Sequence, residues 1–222
     1  MSCGRVALDR ACIPYNHYYA SEIDKYPMKV ADSNYPDTIQ MGNITELTGD
    51  RFDEPIDLIM GGSPCQGFSF AGKGLNFDDP RSKLFFEFVR LISEIKPKYF
   101  LLENVKMKAE SRDIISKYLG CEPVAINSNL VSAQNRNRLY WTNIPFNMPT
   151  DRNIKLDNIL QHNVEDKYLV SERQLSRLTF QDTEDGGVKG CFTKPIRRVE
   201  KSGCLMARDY KGISGKQDFT MA

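Results

Sequence analysis

The chain has 222 residues, 41% of them hydrophobic and 27% charged, with a formal net charge of +1. This is enough for one large core, or one core and a smaller lobe, and it gives no global attraction to a polyanion, so any nucleic-acid surface must be a local patch. Six cysteines without a Cys-x-x-Cys pair, and only His17 and His162, argue against a metal site or a disulfide framework and imply a reducing compartment. No apolar run approaches the ~18 residues of a membrane span and no signal peptide opens the chain, so a cytoplasmic protein with no membrane partner is expected.

The first stretch, Met1 to Leu8, reads as a glycine turn at Gly4 entering a helix. Tyr18 to Asp24 then reads as a short strand ending in acids, where Glu22 is suited to accept two hydrogen bonds from a ribose diol. Tyr26 to Asn34 is expected to be helical, and a further strand ends near Gly42-Asn43-Ile44. Ile56 to Met60 is an apolar run of strand length that empties into Gly61-Gly62-Ser63-Pro64-Cys65-Gln66-Gly67-Phe68-Ser69. Ligands bind at such strand exits in open α/β sheets. Pro64 stiffens the turn before Cys65, and the flanking glycines let a ligand approach the backbone, a setting that presents a thiol rather than burying it.

Arg81 begins an amphipathic helix running to about Ile95, with Leu84, Phe85, Phe88, Leu91, Ile92 and Ile95 on its buried stripe. Lys98 to Val105 is a second apolar strand whose exit carries Glu103 and Asn104. A helix over Ser111 to Leu119 and a strand over Pro123 to Asn127 follow. Gln134-Asn135-Arg136-Asn137-Arg138 then sets two arginines at period two, on one face of an extended segment continuing into Trp141. The alternation of strands and helices predicts an α/β fold, a Rossmann-like doubly wound sheet. Pro145 and Pro149 mark a boundary, giving an expected domain over 1–145 and a smaller region over 146–222. Between Gly186 and Lys216 that region carries eight lysines and arginines against Glu200 and Asp209, with Arg197-Arg198 and Ala207 to Gly212 available to phosphates and base edges.

Three of these stretches, in this order, resemble the markers of the cytosine-5 DNA methyltransferases: a Gly-x-Pro-Cys loop ending at Cys65, Glu103-Asn104-Val105, and Gln-x-Arg-x-Arg over 134–138. The resemblance implies an S-adenosylmethionine-dependent methyltransferase fold and double-stranded DNA as partner, as in a restriction-modification or phage system. Cytosine C5 is a poor nucleophile. A thiolate adding at C6, here Cys65, makes the ring an enamine able to attack a methyl sulfonium, and a carboxyl group at the base edge, here Glu103, assists as charge builds on the ring. Asn104 would hold the loop, Arg138 would contact the base carbonyl and a phosphate, and Arg136 would support the covalent intermediate. The implied donor site comprises Gly4, Glu22, Ile23, Asn43, Ile44, Pro64 and Leu84, with Asn43 standing where the family usually has aspartate. The loop from Phe68 to Asp79 would close over an extruded base, and residues 146–222 would form the target-recognition region. A strand before Gly4 and the late motif pair after Lys194 are missing from the pattern, so a chain truncated at both ends is expected. A tRNA cytosine-5 methyltransferase, or an inactive fragment that only binds DNA, are the alternatives.

Overall fold

The structure, a computed structural model, describes residues 2–63, 80–161, 163–165 and 200–204. The chain divides into two compact units, one of Met1–Ala125 with Arg138–Phe146 and one of Ile126–Asn137 with Asn147–Ala222. The elements in chain order are α1 (Cys3–Arg10), β1 (Tyr19–Ala20), α2 (Lys25–Asn34), β2 (Ile39–Gln40), β3 (Leu58–Gly61), α3 (Pro80–Ile95), β4 (Tyr99–Val105), α4 (Ala109–Leu119), β5 (Val124–Asn127) and β6 (Asn137–Thr142). β1 and β2 pair in parallel, and a four-stranded sheet has the order β3-β4-β6-β5. In it β3 and β4 are parallel while β6 runs antiparallel to β4, so the sheet is mixed.

Side-chain alternation along β4 and β6 separates the two faces of this sheet. Leu102, Asn104, Leu139 and Trp141 are buried on one face, where Leu102, Leu139 and Trp141 join Phe85 and Phe88 of α3 and Ile115 of α4 in a single core. Burying the Trp141 ring strands its indole N–H, which therefore donates to Ser116 Oγ on α4 at 3.0 Å. Met60 points to the opposite face and meets α1. There an added Cβ at Gly4 would lie 2.6 Å from Met60 Cε and 2.9 Å from the Tyr18 hydroxyl. Gly4 is thus the second residue of a helix and not part of a turn that precedes one, and its missing side chain lets α1 pack down on β3.

Local signals explain the helix ends. Asp24 caps α2 by accepting from Tyr26 N at 2.9 Å. α4 stops at Gly120, whose φ of +69° is a left-handed conformation that suits glycine. Arg5 of α1 is buried, so its guanidinium is fully engaged: Nη2 pairs with Asp37 at 2.5 Å, Nη1 donates to Thr38 Oγ1 at 2.9 Å, and Nε donates to the Tyr15 hydroxyl at 2.8 Å.

The second unit is held, among its described residues, by backbone pairing between distant segments. Asn135 N donates to Ser202 O at 2.8 Å, Ser202 N to Ala133 O at 2.7 Å, and Leu156 N to Glu200 O at 2.7 Å. The expected contacts at Arg197-Arg198 and Ala207 to Gly212 lie outside the described residues. No helix among the described residues is long and apolar enough to cross a membrane, and no group of three or more potential metal ligands occurs among them.

Candidate active site

The parallel register Gly61 to Leu102 brings the exits of β3 and β4 side by side, so the segment leading to Cys65 runs beside Glu103 and Asn104. Gly61 is required by the core: a Cβ there would lie 2.8 Å from two carbons of the Phe88 ring. One residue on, a Cβ at Gly62 would lie 3.4 Å from both the Glu103 carbonyl oxygen and Glu103 Oε2. The glutamate carboxylate therefore lies against the backbone three residues ahead of Cys65. Pro64 and Cys65 themselves lie outside the described residues, as does the stretch from Phe68 to Asp79.

Asn104 is 2% exposed and acts as a splint between the two strand exits. Its Nδ2 donates to Ser63 Oγ at 2.9 Å, with the Ser63 carbonyl at 3.4 Å, and its Oδ1 accepts from Val105 N at 2.8 Å. A buried amide is tolerated only with its polar atoms engaged, and these contacts engage both ends.

Glu103 is oriented from the antiparallel side. Arg138 stands opposite Val105 and Tyr140 opposite Glu103, so Arg138 and Glu103 are diagonal neighbours on one face. Arg138 Nε and Glu103 Oε1 are sealed from solvent and face each other at 2.8 Å. The Glu103 side chain nevertheless keeps 32% of its surface exposed, so one end of the carboxylate is fixed while the group still meets solvent. Only Arg138 of the arginine pair stands in a strand. Arg136 immediately precedes β6, which begins at Asn137. Arg136 N donates to Asn127 Oδ1 at 3.0 Å and Ser128 N to Arg136 O at 3.1 Å, while Arg136 Nη1 donates to Cys204 Sγ at 3.3 Å, all within the second unit.

The exits of β1 and β2 lie together because Ser21 Oγ donates to Gly42 O at 2.7 Å. Glu22 Oε1 accepts from Ile23 N at 2.9 Å and Asp24 N at 3.0 Å, which orients its carboxylate at the entrance to α2. Ile23 is 75% exposed, a costly placement for an isoleucine that no described residue covers. Asn43 Oδ1 accepts from Thr45 N at 3.1 Å, one of the two lone pairs that amide oxygen offers. Asn43 and Ile44 are half-buried, as is Leu84 in the first turns of α3. An anionic acceptor next to an exposed isoleucine, with Asn43 and Ile44 following the neighbouring strand exit, has the chemistry to fit a ribose diol and a purine.

Two contributors escaped the sequence reading. Ser63 takes the Asn104 amide, and nothing in a lone serine before a proline signals that. Arg90 donates to the carbonyls of Ile44 and Leu47, at 3.1 and 2.8 Å. Its acidic neighbours Glu87 and Glu94, at helical spacing, were a legible sign of an ion-pair network but not of its target.

Fold and site together define an α/β protein with polar and acidic side chains gathered at strand exits, the arrangement of a ligand-binding α/β enzyme. The family model for C-5 cytosine-specific DNA methylase matches residues 2–203. The chain is 36% identical over 218 residues to the type II methyltransferase M1.ScrFI of Lactococcus lactis subsp. cremoris, an alignment covering 87% of this chain and 55% of that protein. It is 42% identical over 111 residues to the type II methyltransferase M.NlaIV of Neisseria lactamica, covering 48% of this chain and 26% of that protein. Among solved structures, a Spodoptera frugiperda DNMT2 mutant aligns with a TM-score of 0.58 at 25% identity, covering 75% of this chain and 59% of that one. The chain belongs to the C-5 cytosine-specific DNA methylase family. It spans about half the length of the M1.ScrFI relative, 55%.

Proposed function

We propose that this chain carries the catalytic side of a DNA cytosine-5 methyltransferase, acting in the cytoplasm on a cytosine turned out of duplex DNA. The observation that carries this reading is the seating of the Glu103 carboxylate against Gly62, with Arg138 holding one oxygen and Asn104 splinting Ser63. Those contacts bring an acid and a rigid backbone to the approach of Cys65, as addition to a pyrimidine requires.

In the proposed reaction the Cys65 thiolate bonds to C6 of cytosine, and the π electron pair displaced from the C5=C6 double bond spreads over C5 and, through C4=N3, onto N3. The Glu103 carboxyl group, as the acid, donates to N3 as that charge builds, while Arg138 holds the carboxyl group and, by family resemblance, contacts the base carbonyl. Asn104 keeps the loop backbone from relaxing, and Arg136 supports the covalent intermediate by family resemblance. When bound, S-adenosylmethionine supplies an electrophilic methyl group. Glu22 would hold its ribose hydroxyls, Ile23 and Ile44 its adenine faces, and Asn43 the base edge, with Gly4, Pro64 and Leu84 bordering the site. Residues 146–222 would read the target sequence.

Duplex DNA containing 5-fluorocytosine tests this reading, since the missing C5 proton traps the adduct. The wild-type chain with S-adenosylmethionine is expected to give a covalent complex stable to denaturant, and Cys65→Ser none. Glu103→Gln should slow adduct formation far more than it weakens duplex affinity. An adduct formed by Cys65→Ser would falsify the nucleophile assignment, and trapping on tRNA but not on duplex DNA would overturn the substrate.

A further inference from the structure

We infer that Arg90 is a positioning residue for the methyl-donor site, clamping the turn Asn43 to Leu47 so that Asn43 and Ile44 present a preformed edge to an adenine; this rests on the donor-site reading above. The turn needs such a clamp. β2 ends at Gln40, so no strand pairing reaches Asn43, and the turn's own contacts are short-range: Glu46 N to Asn43 O at 3.0 Å and Leu47 N to Ile44 O at 3.4 Å. Arg90 supplies the long-range anchor from α3. Its Nη2 donates to Ile44 O at 3.1 Å and to Leu47 O at 2.8 Å, while Nε donates to Glu87 and Nη1 to Glu94, both at 2.8 Å.

The two carboxylates do more than neutralise the charge. By holding Nε and Nη1 they fix the plane of the guanidinium, which aims Nη2 at the two carbonyls. Glu94 extends the grip, because its Oε2 accepts from Gly49 N at 2.9 Å. A Cβ at Gly49 would lie 2.9 Å from Glu94 Cβ, so only glycine allows that approach. One helical face therefore holds the segment after β2 at Ile44, Leu47 and Gly49. The charge pattern makes a direct role with an anionic substrate a poor use of Arg90, since its N–H groups are committed to Glu87, Glu94 and the two carbonyls.

The consequence is a division of labour within α3. Its apolar stripe builds the core, while Arg90 and Glu94 carry that rigidity to the turn, whose Leu47 is itself buried, and so limit how far its backbone must order when a ligand binds. A preformed turn spares the ligand that ordering cost, so losing the clamp should weaken donor binding by about tenfold. It should also blur recognition of the purine edge, which depends on where Asn43 sits.

Calorimetry on the 222-residue chain tests this, with S-adenosylhomocysteine and its 6-oxo analogue S-inosylhomocysteine as probes. The wild type is expected to prefer the adenosine compound. Arg90→Ala should raise its Kd by about tenfold and bring the two Kd values close together, whereas a loss of general packing would raise both by the same factor. Arg90→Lys keeps the charge and the aliphatic stem but not the fork, and should lose part of the affinity and part of the discrimination; ligand-free melting checks that both variants are folded. Wild-type binding with the Arg90→Ala Kd within about twofold, or an equal rise for both ligands, overturns the role of Arg90 alone. Failure of the wild type to bind either compound sinks the donor site itself.

Discussion

Gly61 offers the sharpest test of how the core sets the exit of β3. It is the last residue of β3, and a Cβ added there would sit 2.8 Å from Cδ2 and Cε2 of Phe88, well inside van der Waals contact. Phe88 is 4% exposed and belongs to the same core as Phe85, Leu102 and Trp141, so its ring has no free volume into which to retreat. Gly61→Ala therefore overpacks, at a cost of ~1–3 kcal/mol. For a chain of this size each kcal/mol corresponds to about 2–4 °C in Tm. Phe88→Leu removes the obstructing ring and is itself destabilising by lost packing. If the clash is the cause, the double variant should lose less than the sum of the two singles, with a coupling of ~1–2 kcal/mol in favour of the pair. Urea unfolding of the four proteins, with m-values compared, measures it. Additivity within ~0.5 kcal/mol, or a neutral Gly61→Ala, would refute the packing argument.

The remaining predictions concern the splint and the acid response. Asn104→Ala strands the Val105 N–H and releases Ser63, losing two hydrogen bonds of 2.8 and 2.9 Å at ~0.5–1.5 kcal/mol each. Stability should fall by ~1–3 kcal/mol, and trapping on the fluorinated duplex should slow in protein that remains folded; an unchanged trapping rate would remove Asn104 from loop positioning. The Arg5 guanidinium holds the Asp37 carboxyl below its ordinary range, and Arg90, with the Gly49 N–H, does the same for Glu94. Because both folded-state values are depressed, the unfolded chain takes up these protons first as the solution is acidified. Their stabilisation is therefore complete above about pH 5 and is lost as the pH falls through the unfolded and then the lower folded values. Urea unfolding at pH 5 and pH 3 should show a smaller drop for the Asp37→Asn, Glu94→Gln double variant than for wild type, and equal drops would exclude these pairs as the cause.

Much of the architecture was legible in the chain because it depends on local period. The apolar runs before Gly61 and before Glu103 appear as β3 and β4, and the stripe from Leu84 to Ile95 appears as α3, since burial pattern and element type are set by residues close in sequence. The placement of Glu103 and Asn104 at a strand exit was equally readable, since an apolar run of strand length ends in them.

What the chain could not reveal by itself is which distant groups meet. That Glu103 is held by Arg138 follows from an antiparallel register with β6, and that Asn104 reaches Ser63 follows from a parallel one with β3. Register is a property of two strands together, so neither strand encodes it alone. The same holds for Arg136, whose partners Asn127 and Cys204 lie 9 and 68 residues away in the chain. Arg90 makes the point from a helix: its acidic partners lie one turn away and were readable, but its carbonyl partners lie more than forty residues back and became neighbours only when the chain folded.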